Sequence, residues 1–285
     1  MKVLVTGGGG QLAACLLQCR PEGAEAIAVS RRDLDVRDAG AVDACLEAAR
    51  PDAVVNAAAF TDVDAAEARR VEAWDTNAAG AGNVARACAR LGCRLIHLST
   101  DYVFDGRGEV ARQPGDPVHP LGAYGASKAA GERQVLAAGP GRALVVRTAW
   151  LFRGSGRGYV PSMARAFAEG RTVRAATDQR GTPTRCDDLA RALWTMAGGD
   201  ATGIVHWVGA GTASRVEWAG EILAICRRLG RAAEGAGVQP VTMDELGLRA
   251  VRPAWSVLDG VSGWALTGGR PPPWQERLEA ALREG

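Results

Sequence analysis

The chain has 285 residues, 47% hydrophobic and 23% charged, which is enough to bury a full core in one large domain or a large domain with a smaller lobe. A formal charge of +2 with no long basic run argues against nucleic acid as a partner. The apolar runs are broken too often to span a bilayer, so no membrane association is expected.

Met1 to Thr6 runs straight into a glycine cluster and leaves no room for a secretory signal, so the expected compartment is the cytoplasm. The seven cysteines are scattered without a C-x-x-C pair and read as buried free thiols. Lys2 and Lys128 are the only lysines in an Arg-rich chain, which makes each lysine position informative.

Short runs rich in Val, Leu or Ile at Lys2–Thr6, Ala26–Ser30, Ala53–Asn56, Arg94–Leu98 and Ala143–Arg147 predict strands buried on both faces. Between them, Ala39–Arg50, Val71–Leu91 and Tyr124–Ala138 carry helical spacing. The alternation predicts an α/β fold with a Rossmann-type, doubly wound parallel sheet.

After Trp150 the pattern changes. A glycine-rich break at 154–158 precedes predicted helices at Tyr159–Glu169, Asp187–Ala197 and Ser214–Leu229, with a strand at Gly203–Val208. The predicted organisation is a dinucleotide-binding domain from residues 1–150 plus about 183–200. A smaller, discontinuous substrate-binding lobe takes about 151–182 and 201–285.

Gly7, Gly10 and Ala13 satisfy G-x-x-G-x-x-G/A between the first strand and a helix. This pattern lets backbone N–H groups approach a pyrophosphate at the positive end of the helix. The second strand runs into Arg31 and Arg32, where an NAD-binding fold would usually place an acidic residue. Two guanidiniums there favour a 2′-phosphate and hence NADPH, with NADH weaker. The alternative, two solvated surface charges, stays open because Asp33 and Asp35 follow closely. Ala57, Ala58 and Ala59 end the third strand with side chains too small to block a ribose, although small residues also serve packing.

Tyr124 and Lys128 stand four residues apart on one face of a predicted helix, a phenol with a cation to tune it. Thr100, at the carboxyl end of the fourth strand, can polarise a substrate carbonyl. His97, His119 and His206 are too far apart in sequence for a zinc motif. Most tryptophans are expected in the core, with Trp255 free to stack on a base.

These residues sit in longer strings: T-G-x-x-G-Q-L at Thr6–Leu12, R-P-D-x-V-V-N-A-A-A at Arg50–Ala59 and S-T-D-Y-V-F-x-G at Ser99–Gly106. Y-G-x-S-K-x-x-G-E follows at Tyr124–Glu132, R-T-x-W at Arg147–Trp150, D-Q-x-G-x-P-T at Asp178–Thr184 and R-P-x-x-S-x-L at Arg252–Leu258. In these strings the chain resembles the dTDP-4-dehydrorhamnose reductase family of the extended short-chain dehydrogenase/reductase superfamily.

The resemblance implies NADPH-dependent reduction of the 4-keto group of a dTDP-linked 6-deoxysugar, with Tyr124 as proton donor, Lys128 on the nicotinamide ribose and Thr100 on the keto oxygen. It implies that Gln11, Leu12, Asp35, Val36 and the Ala59–Thr61 segment line the dinucleotide. Thr61, Asp101, Trp150, Gln179 and Arg252 are expected to meet the nucleotide sugar. Some members of that family bridge a dimer through Mg²⁺ with a glutamate where this chain has Cys15, so no metal is expected, and monomer and homodimer both remain open. A nucleotide-sugar epimerase and a non-catalytic NADP-binding regulatory subunit are the competing functions. Arg31 and Arg32 argue against the first, and the presence of both Tyr124 and Lys128 argues against the second.

Overall fold

The structure, a computed structural model, describes residues 1–138 and 141–284. Gly139, Pro140 and Gly285, which the expected domain ranges include, lie outside the described residues. Five strands, β1 (Lys2–Thr6), β2 (Glu25–Val29), β3 (Ala53–Asn56), β4 (Arg94–Thr100) and β5 (Ala143–Thr148), form a parallel sheet with a sixth at Gly203–His206. The spatial order is sixth strand, β5, β4, β3, β1, β2. Order reverses between β1 and β3, so the carboxyl ends of these strands open onto a crevice suited to a ligand.

Alternation within each strand feeds two separate cores. Val3, Val5, Ile96, Leu98 and Val146 face Leu12 and Leu16 of helix α1 (Gln11–Gln18) and Leu189 and Leu193 of the helix Cys186–Gly198. Leu4, Val54, Leu95 and Val145 face Val42, Leu46, Val84 and Val135 on the helices Ala39–Ala49, Ala81–Leu91 and Ala123–Ala138. Helices on both faces explain why the strand sequences read as unbroken apolar runs.

A third core holds the lobe, where Phe152, Phe167, Trp218 and Leu278 are buried together. Its helices are Tyr159–Ala168, Arg215–Arg228 and Trp274–Glu284. A parallel strand pair, Thr172–Ala176 with Gly237–Val241, completes it.

Two expectations need correction. Gly203–His206 belongs to the main sheet and not to the lobe, with Val205 in register with Val146 of β5. The helix Cys186–Gly198 packs on α1 under the sheet, and the chain leaving it re-enters parallel to β5. The stretch 71–91 is not one regular helix, because the segment Asp75–Gly80 is π-helical. There the Asn77 side chain donates to the Phe60 carbonyl and to Ser127 Oγ, and accepts from the Phe60 amide. These tertiary bonds hold the widened turn, a type of irregularity frequent near functional sites. Most tryptophans are buried as expected, among them Trp150, Trp194, Trp207, Trp218 and Trp274, whereas Trp74 is exposed.

Candidate functional site

Two cavities lie along the crevice and share Ala59 and Thr61. The first, about 300 Å³, is lined by Gly7, Arg31, Asp35, Val36 and Ala58 among others. The second, about 420 Å³, is lined by Gly10, Gln11, Leu12, Ala57, Thr100, Asp101, Tyr124, Lys128, Trp150 and Arg215 among others. The expected cofactor residues other than Arg32 and the expected chemical residues therefore meet along one trough.

The glycine turn fits a dinucleotide. Gly7 has φ of +72°, and a Cβ there would stand 2.8 Å from the Ala57 carbonyl oxygen; at Gly8 it would stand 2.8 Å from the Val29 carbonyl carbon. The turn is thus wedged between the ends of β2 and β3. No side chain caps α1, which leaves its first-turn N–H groups for an anion. Gln11 Oε1, at the same point, is buried without a partner.

At the adenosine end the structure separates the two arginines. Arg31 lines the first cavity and pairs with Glu72 at 3.3 Å and Asp35 at 3.7 Å. Arg32 is exposed and does not line it. The second guanidinium in that cavity is Arg69, which also pairs with Glu72 and lies 5.1 Å from the Phe60 ring centroid. Asp33 is taken up by the turn, accepting from the amide and hydroxyl of Ser30. Asp35 is held below the usual carboxylate range, chiefly by its hydrogen bond from Arg37.

At the chemical end, Tyr124 and Lys128 project from the helix Ala123–Ala138 beneath β4. That helix approaches closely because Gly125 has no side chain: a Cβ there would stand 2.1 Å from the Tyr102 carbonyl oxygen. Burial raises the Tyr124 phenol well above its ordinary value, and a hydrogen bond with Thr100 works against that rise. Burial lowers Lys128 to about 8, opposed by the negative charge of Glu132 one turn along. Lys128 Nζ donates to the Leu98 carbonyl at 2.6 Å. The cavity thus holds a phenol kept protonated and an ammonium that is still mostly charged at neutral pH but gives up its proton more readily than usual.

Thr100 Oγ1 accepts from the Tyr102 amide and donates to Asp101 Oδ1 at 3.0 Å. Burial raises Asp101 to about 6, against hydrogen bonds from Ser256 and Thr100 and the charge of Arg215. Trp150 adopts φ of +44°, a left-handed conformation unfavourable for a bulky residue, and Gly181 makes room for its ring. Gln179 and Arg252 do not line the second cavity. Gln179 is buried behind it, accepting from Arg215 Nε at 3.0 Å, and Arg252 forms a two-pronged ion pair with Asp64 at 2.6 and 3.2 Å.

Two arginines escaped the sequence analysis. Arg69 stands beside Arg70 after an acidic segment and looks like a surface charge in sequence. Arg215 carries a better signal: a cation as the first residue of the helix Arg215–Arg228 opposes the helix dipole, so local propensity does not explain it.

The model for the RmlD substrate binding domain matches residues 1–285. The chain belongs to that family. Among its relatives, a dTDP-4-dehydrorhamnose reductase of Mycobacterium tuberculosis is 40% identical over 99% of this chain and 92% of its own length. A dTDP-4-keto-6-deoxy-D-glucose reductase of Streptomyces niveus is 36% identical over 94% of this chain and 91% of its own. The crystal structure of a Bacillus anthracis dTDP-4-dehydrorhamnose reductase in complex with NADP superposes with a TM-score of 0.92 at 32% identity, covering 100% of this chain and 99% of that one. The match along the whole chain places the trough and the lobe in the same family member, not in a fused pair of unrelated parts. No helix among the described residues is long and apolar enough to cross a membrane.

Proposed function

We propose that this family member is an oxidoreductase that uses NADPH, with NADH weaker, to reduce the 4-keto group of a dTDP-linked 4-keto-6-deoxyhexose. The observation that carries this reading is the convergence of Tyr124, Thr100 and Lys128 in one cavity that opens directly into the glycine turn. NADPH, when bound, supplies the hydride to the sugar C4.

The protein's own residues do the rest. The first-turn amides of α1 and the glycine turn hold the pyrophosphate, and Arg31 with Arg69 faces the adenosine end, where a 2′-phosphate would be matched by two guanidiniums. Thr100 orients the keto oxygen, and Tyr124, kept protonated by burial, gives that oxygen its proton as charge develops. Lys128 carries a loosely held proton and can lend positive charge to the phenolate left behind. Thr61, Asp101 and Trp150 border the space for the sugar. Gln179 and Arg252 act through their neighbours, Arg215 and Asp64.

The test is NADPH consumption with dTDP-4-keto-6-deoxysugars, comparing the rhamnose precursor with a 2,6-dideoxy analogue and assigning each product's C4 configuration by NMR. Stoichiometric oxidation with a 4-hydroxy product supports the proposal. NADPH binding without any turnover would replace it with the non-catalytic subunit.

A further inference from the structure

Arg215 stands apart from the other arginines near the site. Its guanidinium carbon lies 3.5 Å from the Trp150 ring centroid, and its Nε is fixed by Gln179. Among the described residues it makes no ion pair with a carboxylate, whereas Arg252 is matched by Asp64 and Arg31 by Glu72. Asp101 in the same cavity is close enough for its charge to act on Arg215 but forms no ion pair with it, and a cation drawn into a cleft with only a neutral amide as hydrogen-bond partner is costly unless a ligand supplies an anion.

The surroundings point the same way. Thr148 borders the same cavity, and its Oγ1 is buried with no hydrogen-bond partner. A hydroxyl can donate, so the space beside Arg215 suits a ligand with acceptor oxygens. On the proposed function above, on which this inference rests, the substrate carries one anionic group, its diphosphate.

We infer that Arg215 is the residue that holds the diphosphate of the nucleotide sugar, clamped between Gln179 and the face of Trp150. The clamp removes rotamer freedom before the ligand arrives, so less entropy is lost on binding. It also ties the diphosphate contact to Trp150, so the sugar's position and the anion's are set by one unit.

The experiment is calorimetric titration of the NADPH-loaded protein with dTDP, using wild type, Arg215→Met and Arg215→Lys, alongside kcat and KM for the keto sugar. Arg215→Met keeps an apolar cover over Trp150 and removes the charge; Arg215→Lys keeps the charge and loses the fork. The expected result is dTDP binding weakened about 10- to 100-fold in Arg215→Met and partly retained in Arg215→Lys, with KM rising more than kcat falls and NADPH affinity unchanged.

Equal dTDP affinity in wild type and Arg215→Met, while the wild type still reduces the keto sugar, overturns this inference alone and makes Arg215 a packing residue. Loss of NADPH affinity with dTDP binding intact overturns it in favour of a cofactor contact. A wild type that neither binds dTDP nor turns over the keto sugar removes the proposed function and this inference together.

Discussion

Glu132→Gln separates two tasks that the structure gives to one carboxylate. Glu132 accepts from Ser99 Oγ at 2.5 Å and from Arg147 at 2.8 and 2.7 Å, and both partners of the ion pair are almost wholly buried, with side-chain exposures of 2% and 4%. Losing the charge leaves the Arg147 guanidinium buried and unpaired, at a cost of about 3–5 kcal/mol. For a domain of this size that lowers the melting temperature by roughly 6–20 °C.

The same charge also raises the pKa of Lys128 against burial. Without it, Lys128 gives up its proton at lower pH. An active site that needs the cation works below the Lys128 pKa and fails above it, so the alkaline limb of kcat/KM, expected near pH 8 in the wild type, moves down. Thermal melting and a pH–rate profile read the two effects separately. The double variant Glu132→Gln with Arg147→Met removes the stranded cation and should recover part of the stability while leaving the limb displaced. A single variant that melts within about 2 °C of wild type, or a limb that does not move, would refute the reasoning.

Tyr124→Phe should lower kcat by about 10²- to 10⁴-fold while NADPH still binds, measured by turnover and by cofactor fluorescence; near-normal turnover would remove Tyr124 as the proton donor. Arg31→Ala should weaken NADPH about 10- to 100-fold and NADH little, whereas Arg32→Ala should change neither, since only Arg31 borders the cavity. Equal effects of the two variants on the cofactor ratio would contradict that separation. Gly181→Ala places a Cβ 2.4 Å from Trp150 Cε2; the displaced ring should raise KM for the sugar and cost about 1–3 kcal/mol of stability, both absent if Trp150 repacks freely.

The central sheet was legible because a strand buried on both faces writes itself as an apolar run, and β1 and β3 have the predicted bounds. The trough residues on strand ends and in the glycine turn were legible for the same reason, since a local pattern sets their place. Gly203–His206 was not, because its four residues follow a glycine-rich turn and only the path of the preceding helix decides which sheet they join. The π-helical segment depends on Asn77 reaching Phe60 and Ser127, contacts between residues 17 and 50 positions apart. Arg69 and Arg215 acquire their significance only through distant partners, Phe60 and Trp150. Sequence thus marked the trough residues placed by local motifs and missed those recruited by tertiary packing.

A line of buried polar contacts explains how so small a motif set can hold a precise site. Thr6 at the end of β1 accepts from the Ala58 amide and donates to Asn56 of β3, whose amide nitrogen donates to His97 Nδ1 on β4. Burial and the nearby Lys128 hold His97 neutral, so it can accept that bond. On β4, Ser99 joins Glu132 of the helix Ala123–Ala138; Glu132 joins Arg147 of β5; and Arg147 lies 3.4 Å from His206 on the sixth strand. The contacts run across the sheet at its carboxyl edge, where an apolar core would allow strands and helix to slide. Hydrogen bonds are directional, so each partner fixes the position of the next, and Tyr124 and Lys128 inherit that order from a helix pinned at Glu132. Preorganisation of this kind is what a proton transfer synchronised with hydride arrival requires.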